Sequence, residues 1–168
     1  MLSRPLALLT LPMILACAPK KNPVYAIHAG GDGDLGDSAV AWVSSDKEIS
    51  SDVPTPLFYE GKFYILNGGR HTISCVEPGS GKVIWSENLD GYTRKNAKFE
   101  TSPTGADGKI YFMNHLGHVF VVEAGDRFKM VHNVAMGTRD ERYARSSISA
   151  AQGNLFIRTD YKLYCIGE

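Results

Sequence analysis

Thr55-Pro56-Leu57-Phe58-Tyr59-Glu60-Gly61-Lys62-Phe63-Tyr64-Ile65-Leu66 decides the fold, because the chain writes this stretch three times. The second copy is Ser102-Pro103-Thr104-Gly105-Ala106-Asp107-Gly108-Lys109-Ile110-Tyr111-Phe112-Met113. The third is Ser147-Ile148-Ser149-Ala150-Ala151-Gln152-Gly153-Asn154-Leu155-Phe156-Ile157-Arg158. Each opens on Ser or Thr, runs through apolar or small residues to a Gly followed by Lys or Asn, and continues as alternating aromatic and aliphatic residues. Pro56, Pro103 and Ile148 hold one position, so the copies lie 47 (103 − 56) and 45 (148 − 103) residues apart. A fixed period in this range marks a repeat architecture in which each repeat is one supersecondary unit.

The copies also continue alike. Residues 63–66 lead into Asn67-Gly68-Gly69 and then Thr72-Ile73-Ser74-Cys75-Val76; residues 110–113 lead into Asn114-His115-Leu116-Gly117 and then His118-Val119-Phe120-Val121-Val122. Residues 155–158 lead into Thr159-Asp160-Tyr161 and then Leu163-Tyr164-Cys165-Ile166. Short runs with period-two alternation, rich in Val, Ile, Phe and Tyr and bounded by Gly, Asn and Asp, are β-hairpins. Glu60-Gly61 and Asp107-Gly108 add a turn to the preceding strand, and helical spacing is nowhere sustained. The chain is therefore read as all-β, a β-propeller of four-stranded antiparallel blades that stack because one blade cannot bury both faces. Blades are expected at about 13–42, 53–90, 100–133 and 146–168, with an ambiguous segment at 1–12.

Composition agrees and excludes much. Eighteen basic and eighteen acidic residues cancel, which argues against a polyanionic partner such as nucleic acid. Charged residues at 21% and hydrophobic residues at 43% describe a globular chain, not a disordered one. Cys17, Cys75 and Cys165 are too few and too scattered for a disulfide framework or a Cys-x-x-Cys site, and are read as small core residues. At 45–47 residues per repeat, 168 residues hold fewer than four full blades. The expectation is three to four blades of a partial propeller. Its open blade edges invite missing blades or self-association.

Cys75-Val76-Glu77-Pro78-Gly79-Ser80-Gly81-Lys82-Val83-Ile84-Trp85 resembles the tryptophan-docking motif of the quinoprotein (pyrroloquinoline-quinone-like) propeller family, A-x-D-x-x-T-G-K-x-x-W. Gly81, Lys82 and Trp85 match directly, while Cys75, Glu77 and Ser80 replace Ala, Asp and Thr. The acidic residue and hydroxyl suit a tight turn, and the Trp suits packing on a neighbouring blade. Trp42 is read as the corresponding Trp of the first blade, reached through a longer loop. Val122-Glu123-Ala124-Gly125-Asp126 keeps a relic of the motif, and the fourth repeat stops at Ile166-Gly167-Glu168. The resemblance covers nearly all of 13–168, with one nearly complete motif. Members of this family typically close with seven or eight blades.

The resemblance implies one of two functions. One is a non-catalytic binding or assembly scaffold that takes a protein or small ligand on a rim, as does the bacterial outer-membrane assembly lipoprotein with this fold. The alternative is a fragment of a quinoprotein dehydrogenase holding pyrroloquinoline quinone and calcium on its axis. Such dehydrogenases typically carry a vicinal disulfide and an Asp base; this chain has no adjacent cysteines, which favours the scaffold and no cofactor. An exported bacterial protein, periplasmic or extracellular, is the implied setting, with no transmembrane span.

The start of the chain reads in two ways. Met1-Leu2-Ser3-Arg4, an apolar run and Ile14-Leu15-Ala16-Cys17 resemble a lipoprotein export signal with Cys17 as the anchor. Alternatively, Met13-Ile14-Leu15-Ala16 and Val24-Tyr25-Ala26-Ile27 line up with residues 63–66 and 73–76 as half of a blade, which makes the chain the C-terminal part of a longer protein. Cleavage before Cys17 would remove half of a hairpin whose other half is present, so the blade reading is preferred.

Little else in the chain carries chemistry. Gly30-Gly31-Asp32-Gly33-Asp34-Leu35-Gly36-Asp37 fails the EF-hand pattern, with Asp37 at the glycine place and Val43 at the final glutamate place, and is read as a solvated loop. His115-x-x-His118 straddles a turn with no Cys or carboxylate beside it in sequence. Gly79-Ser80-Gly81-Lys82 is no phosphate loop, because Val76 and Val83 replace the first Gly and the Ser/Thr. Arg142 and Arg145, in the charged run before the fourth repeat, are candidate ligand contacts on a propeller funnel; the competing reading is a balanced surface loop. No catalytic residue and no metal ligand is expected.

Overall fold

A computed structural model describes residues 13–17, 23–44, 49–93, 97–137 and 143–167. Four antiparallel sheets follow one another along the chain. The first holds β1 (Met13–Ala16), β2 (Tyr25–His28) and β3 (Val40–Val43). The second holds β4 (Leu57–Tyr59), β5 (Lys62–Asn67), β6 (Thr72–Val76) and β7 (Val83–Asn88). The third holds β8 (Thr104–Ala106), β9 (Lys109–Met113), β10 (His118–Glu123) and β11 (Met130–Ala135), and the fourth β12 (Ser149–Ala151), β13 (Asn154–Arg158) and β14 (Leu163–Ile166). Strand order equals chain order in each sheet, the up-and-down meander of a propeller blade.

The first hairpin of the last three sheets is set by its turn. Glu60-Gly61, Asp107-Gly108 and Gln152-Gly153 all have positive φ at both residues: 47° and 74°, 48° and 65°, 50° and 74°. Two left-handed residues make the turn whose twist matches that of the flanking strands, and glycine takes the second place without a steric penalty.

Alternation then sorts side chains between two faces. Met13, Leu15, Val24 and Trp42 of the first sheet meet Phe63, Ile65 and Val76 of the second. The opposite face of the second sheet, with Tyr64, Leu66, Ile73 and Cys75, meets Ile110, Phe112, Phe120 and Val122 of the third. Tyr111, Met113, Val119 and Val121 in turn meet Ile148 and Ile157 of the fourth. One packing rule, front of one blade to back of the next, is applied three times.

Polar stitches repeat with the same period. The Thr55 amide donates to Ser102 Oγ at 2.9 Å, and the Ser102 amide donates to Ser147 Oγ at 2.9 Å. Donor and acceptor lie 47 and 45 residues apart, which are the repeat spacings themselves.

Two sequence expectations need correction. Ala26 stands opposite Trp42 as Cys75 stands opposite Trp85, and Leu15 faces Ala26 as Tyr64 faces Cys75. Ile14, not Met13, therefore occupies the place of Phe63, and that one-residue difference exchanges the faces of β1. Of the cysteines, only Cys75 is a core residue; Cys17 and Cys165 are exposed.

Candidate functional site

Residues 77–82 form a turn that satisfies itself before it meets its neighbour. The Glu77 amide donates to the Lys82 carbonyl at 2.9 Å, and the Gly81 amide donates to the Glu77 carbonyl at 3.0 Å. The Glu77 carboxylate accepts from the Gly79 amide (2.9 Å), the Ser80 amide (2.7 Å) and Ser80 Oγ (2.5 Å). Donation from the Ser80 hydroxyl, followed by the Gly79 amide, holds this carboxyl below the usual carboxylate range. Ser80 Oγ accepts in turn from the Lys82 amide at 3.2 Å. Lys82 itself is exposed.

Trp42 crosses from the first sheet onto this turn. Its Nε1 donates to the Pro78 carbonyl at 2.7 Å. Gly81 lies under the indole with φ +72°, where a Cβ would fall 2.7 Å from ring carbons. Trp85 makes the same reach from the second sheet to the third: its Nε1 donates to the Gly125 carbonyl at 2.9 Å. The Gly125 amide donates to the Tyr64 hydroxyl at 3.0 Å, and Phe128 packs edge-on against Trp85 with ring centroids 5.5 Å apart. Burial pushes the Tyr64 phenol up to about 12 and the Cys75 thiol up to about 11. Glu77, Ser80, Gly81, Lys82 and Trp42 thus meet at one junction, and Trp85 sits at the next.

A second cluster lies where the third and fourth sheets meet. The Ala144 amide donates to the His115 carbonyl at 3.1 Å, which brings the segment before the fourth repeat onto the turn between β9 and β10. Glu100 Oε2 lies 3.1 Å from His115 Nε2 and 2.7 Å from Arg145 Nε. Arg145 also sits over the Tyr143 ring, 5.8 Å from its centroid. Tyr143, Arg145, Ser146, Arg158, Thr159 and Asp160 line an adjacent cavity of about 220 Å³. Arg142 lies outside the described residues. Sequence reasoning missed Glu100, which precedes its partners by 15 and 45 residues and belongs to no repeat motif.

Of the two histidines in His115-x-x-His118, His115 faces Glu100, whereas His118 is on β10 and packs against Phe120, with ring centroids 5.2 Å apart. In the acidic loop the Gly36 amide donates to Asp34 Oδ1 at 3.0 Å, a local turn contact. Among the described residues no three His, Cys, Asp or Glu side chains converge as a cation-ligand set. Among them, no helix is long and apolar enough to cross a membrane.

No protein-family model matches the chain, and a search of curated proteins finds no match. Solved structures do resemble it. BamB from Moraxella catarrhalis superposes with a TM-score of 0.63 at 15% identity, over 88% of this chain and 39% of that one. Quinohemoprotein alcohol dehydrogenase from Comamonas testosteroni superposes with a TM-score of 0.65 at 13% identity, over 88% of this chain and 27% of that one. The computationally designed Ika4 protein does so with a TM-score of 0.56 at 13% identity, over 92% of each chain. This chain thus spans well under half the length of the two natural proteins. At such identities the likeness establishes the fold alone, and by its fold this chain is a partial β-propeller.

Proposed function

We propose that this chain is a non-catalytic scaffold that binds a protein partner at the rim where its third and fourth blades meet. In this reading Glu77, Ser80, Gly81, Lys82, Trp85 and Trp42 are docking residues that fix blade on blade. Arg145 and Tyr143 make the contact. The observation that carries it is the cavity beside them. At about 220 Å³ it falls below the roughly 300–1,000 Å³ of small-molecule sites, which suits a side chain of a partner better than a cofactor. Tyr and Arg are the residues that most often anchor protein interfaces. Arg145 is oriented through its Nε by Glu100, and a guanidinium keeps further donors for a carboxylate. The setting that fits is the periplasm or cell exterior of a bacterium.

The second reading, part of a quinone-dependent dehydrogenase, draws on the likeness to the alcohol dehydrogenase fold. Titration with pyrroloquinoline quinone and calcium, followed by absorbance and dye reduction, separates the two. The scaffold reading expects no saturable binding and no dye reduction; saturable quinone binding would sink it. For the rim itself, a photo-crosslinking residue at Tyr143 is expected to trap one protein in the producing cell. Arg145→Glu should abolish that adduct, and an adduct indifferent to Arg145 would refute the rim contact.

A further inference from the structure

One carboxylate oxygen of the rim cluster serves two nitrogens. Glu100 Oε2 lies 2.7 Å from Arg145 Nε and 3.1 Å from His115 Nε2. The first contact is a charge-assisted pairing, and a guanidinium keeps its charge throughout the working range of a protein. The second is a close approach without a formed hydrogen bond. His115 is buried, and its Nε2 has no hydrogen-bond partner among the described residues. An unpaired polar atom in such a place calls for an explanation. A neutral imidazole with its proton on Nδ1 turns a lone pair towards the carboxylate; a charged ring turns a donor towards it and makes an ion pair.

We propose that His115 regulates Arg145 by competing for Glu100, so that a proton on the imidazole releases the guanidinium to an acidic group of the partner. The consequence for binding rests on the rim reading; the competition itself rests on the cluster alone. With His115 neutral, the charges of Glu100 and Arg145 cancel, and the arginine is held on Glu100. With His115 charged, the three groups carry one net positive charge. Oε2 is drawn towards the imidazolium, and the hold on Arg145 loosens. Imidazole is the side chain whose ordinary charge change falls between roughly pH 5 and pH 8. The other charged groups on the neighbouring elements are engaged elsewhere or face water. Lys98 is exposed and meets His115 through its carbonyl, which accepts from the His115 amide at 2.9 Å. Asp160 accepts from the Tyr143 amide through Oδ2 at 3.0 Å, Arg158 borders the cavity, and His118 packs on Phe120.

A pH titration of the isotope-labelled 168-residue chain, followed by nuclear magnetic resonance, tests the competition without any partner. The Arg145 Nε–H resonance is expected to move upfield as pH falls, with the midpoint of the His115 ring protons. In Glu100→Gln the Arg145 resonance should stay put while His115 still titrates. His115→Gln should likewise leave it flat, and Glu100→Gln keeps the test alive if that buried substitution unfolds the chain. Three results overturn the proposal: an Arg145 resonance that ignores His115, one that moves equally in Glu100→Gln, or a His115 that holds one charge state from about pH 5 to about pH 8. The consequence is read on the Tyr143 crosslink in permeabilised cells buffered at about pH 5.5 and about pH 8. The adduct is expected to be about two- to fivefold stronger at the lower pH, the effect of one added unit charge a few ångströms away near water. In Glu100→Gln the two yields should be equal. An adduct equally strong at both pH values in the unaltered chain overturns the regulation and leaves the rim reading standing. No adduct at either pH sinks the rim reading, while the titration still decides the competition.

Discussion

Burial sets the chemistry of Cys75. Its side chain is closed off between the second and third blades, and loss of hydration pushes the thiol up to about 11. Only the thiolate is a nucleophile, so this cysteine is inert while the fold holds. Exposed Cys17 is expected to label readily at neutral pH in the native chain, and Cys75 only after unfolding, as read by peptide mass after timed alkylation. Rapid native labelling of Cys75 would contradict the core assignment. The same burial has an alkaline consequence. Above pH 9.0 the unfolded thiol loses its proton while the folded one keeps it, so the unfolded state binds fewer protons and stability falls as pH rises towards about 11. Tyr64 adds the same trend between 10.0 and about 12. At this scale the sequence is legible in Gly81, which matches the motif, and silent about Pro78 and Gly125. Those two serve through their carbonyls, and a carbonyl is common to every residue.

The hairpins depend on their turns, and two of these three turns, at Glu60 and Gln152, place a residue other than Asp, Asn or Gly in the left-handed region. Asp107-Gly108 uses a residue that tolerates left-handed backbone, whereas Gln152 sits at φ 50° without that tolerance. Gln152→Asn is expected to raise the stability of the chain by about 0.5–1 kcal/mol, within the usual gain for optimising such a site. The measurement is the urea midpoint at unchanged slope; an equal or lower midpoint would show that this turn does not set the hairpin. The strands themselves were legible, because period-two alternation and X-Gly turns recur in register. The register of β1 was not. Met13, Ile14 and Leu15 are all apolar, so either alignment with residues 63–66 matches hydrophobic to hydrophobic. Only the pairing of Leu15 with Ala26, the residue that faces Trp42, decides which face each one takes.

For the whole molecule, the repeat announces the architecture and says little about the rim. Blade packing is periodic, so Thr55, Ser102 and Ser147 form a ladder whose spacing can be counted from the sequence. The Glu100, His115 and Arg145 cluster joins three connecting segments that share no motif, and only the closed geometry of blades three and four brings them together. Trp42 and Trp85 each bridge one blade to the next. Through-space magnetisation transfer in an isotope-labelled sample measures this directly. Cross-peaks are expected from the Trp42 indole ring to the Gly81 α-protons, and from the Trp85 indole N–H to Gly125 and Phe128, with both indole protons slow to exchange. Rapidly exchanging indole protons without these cross-peaks would contradict it.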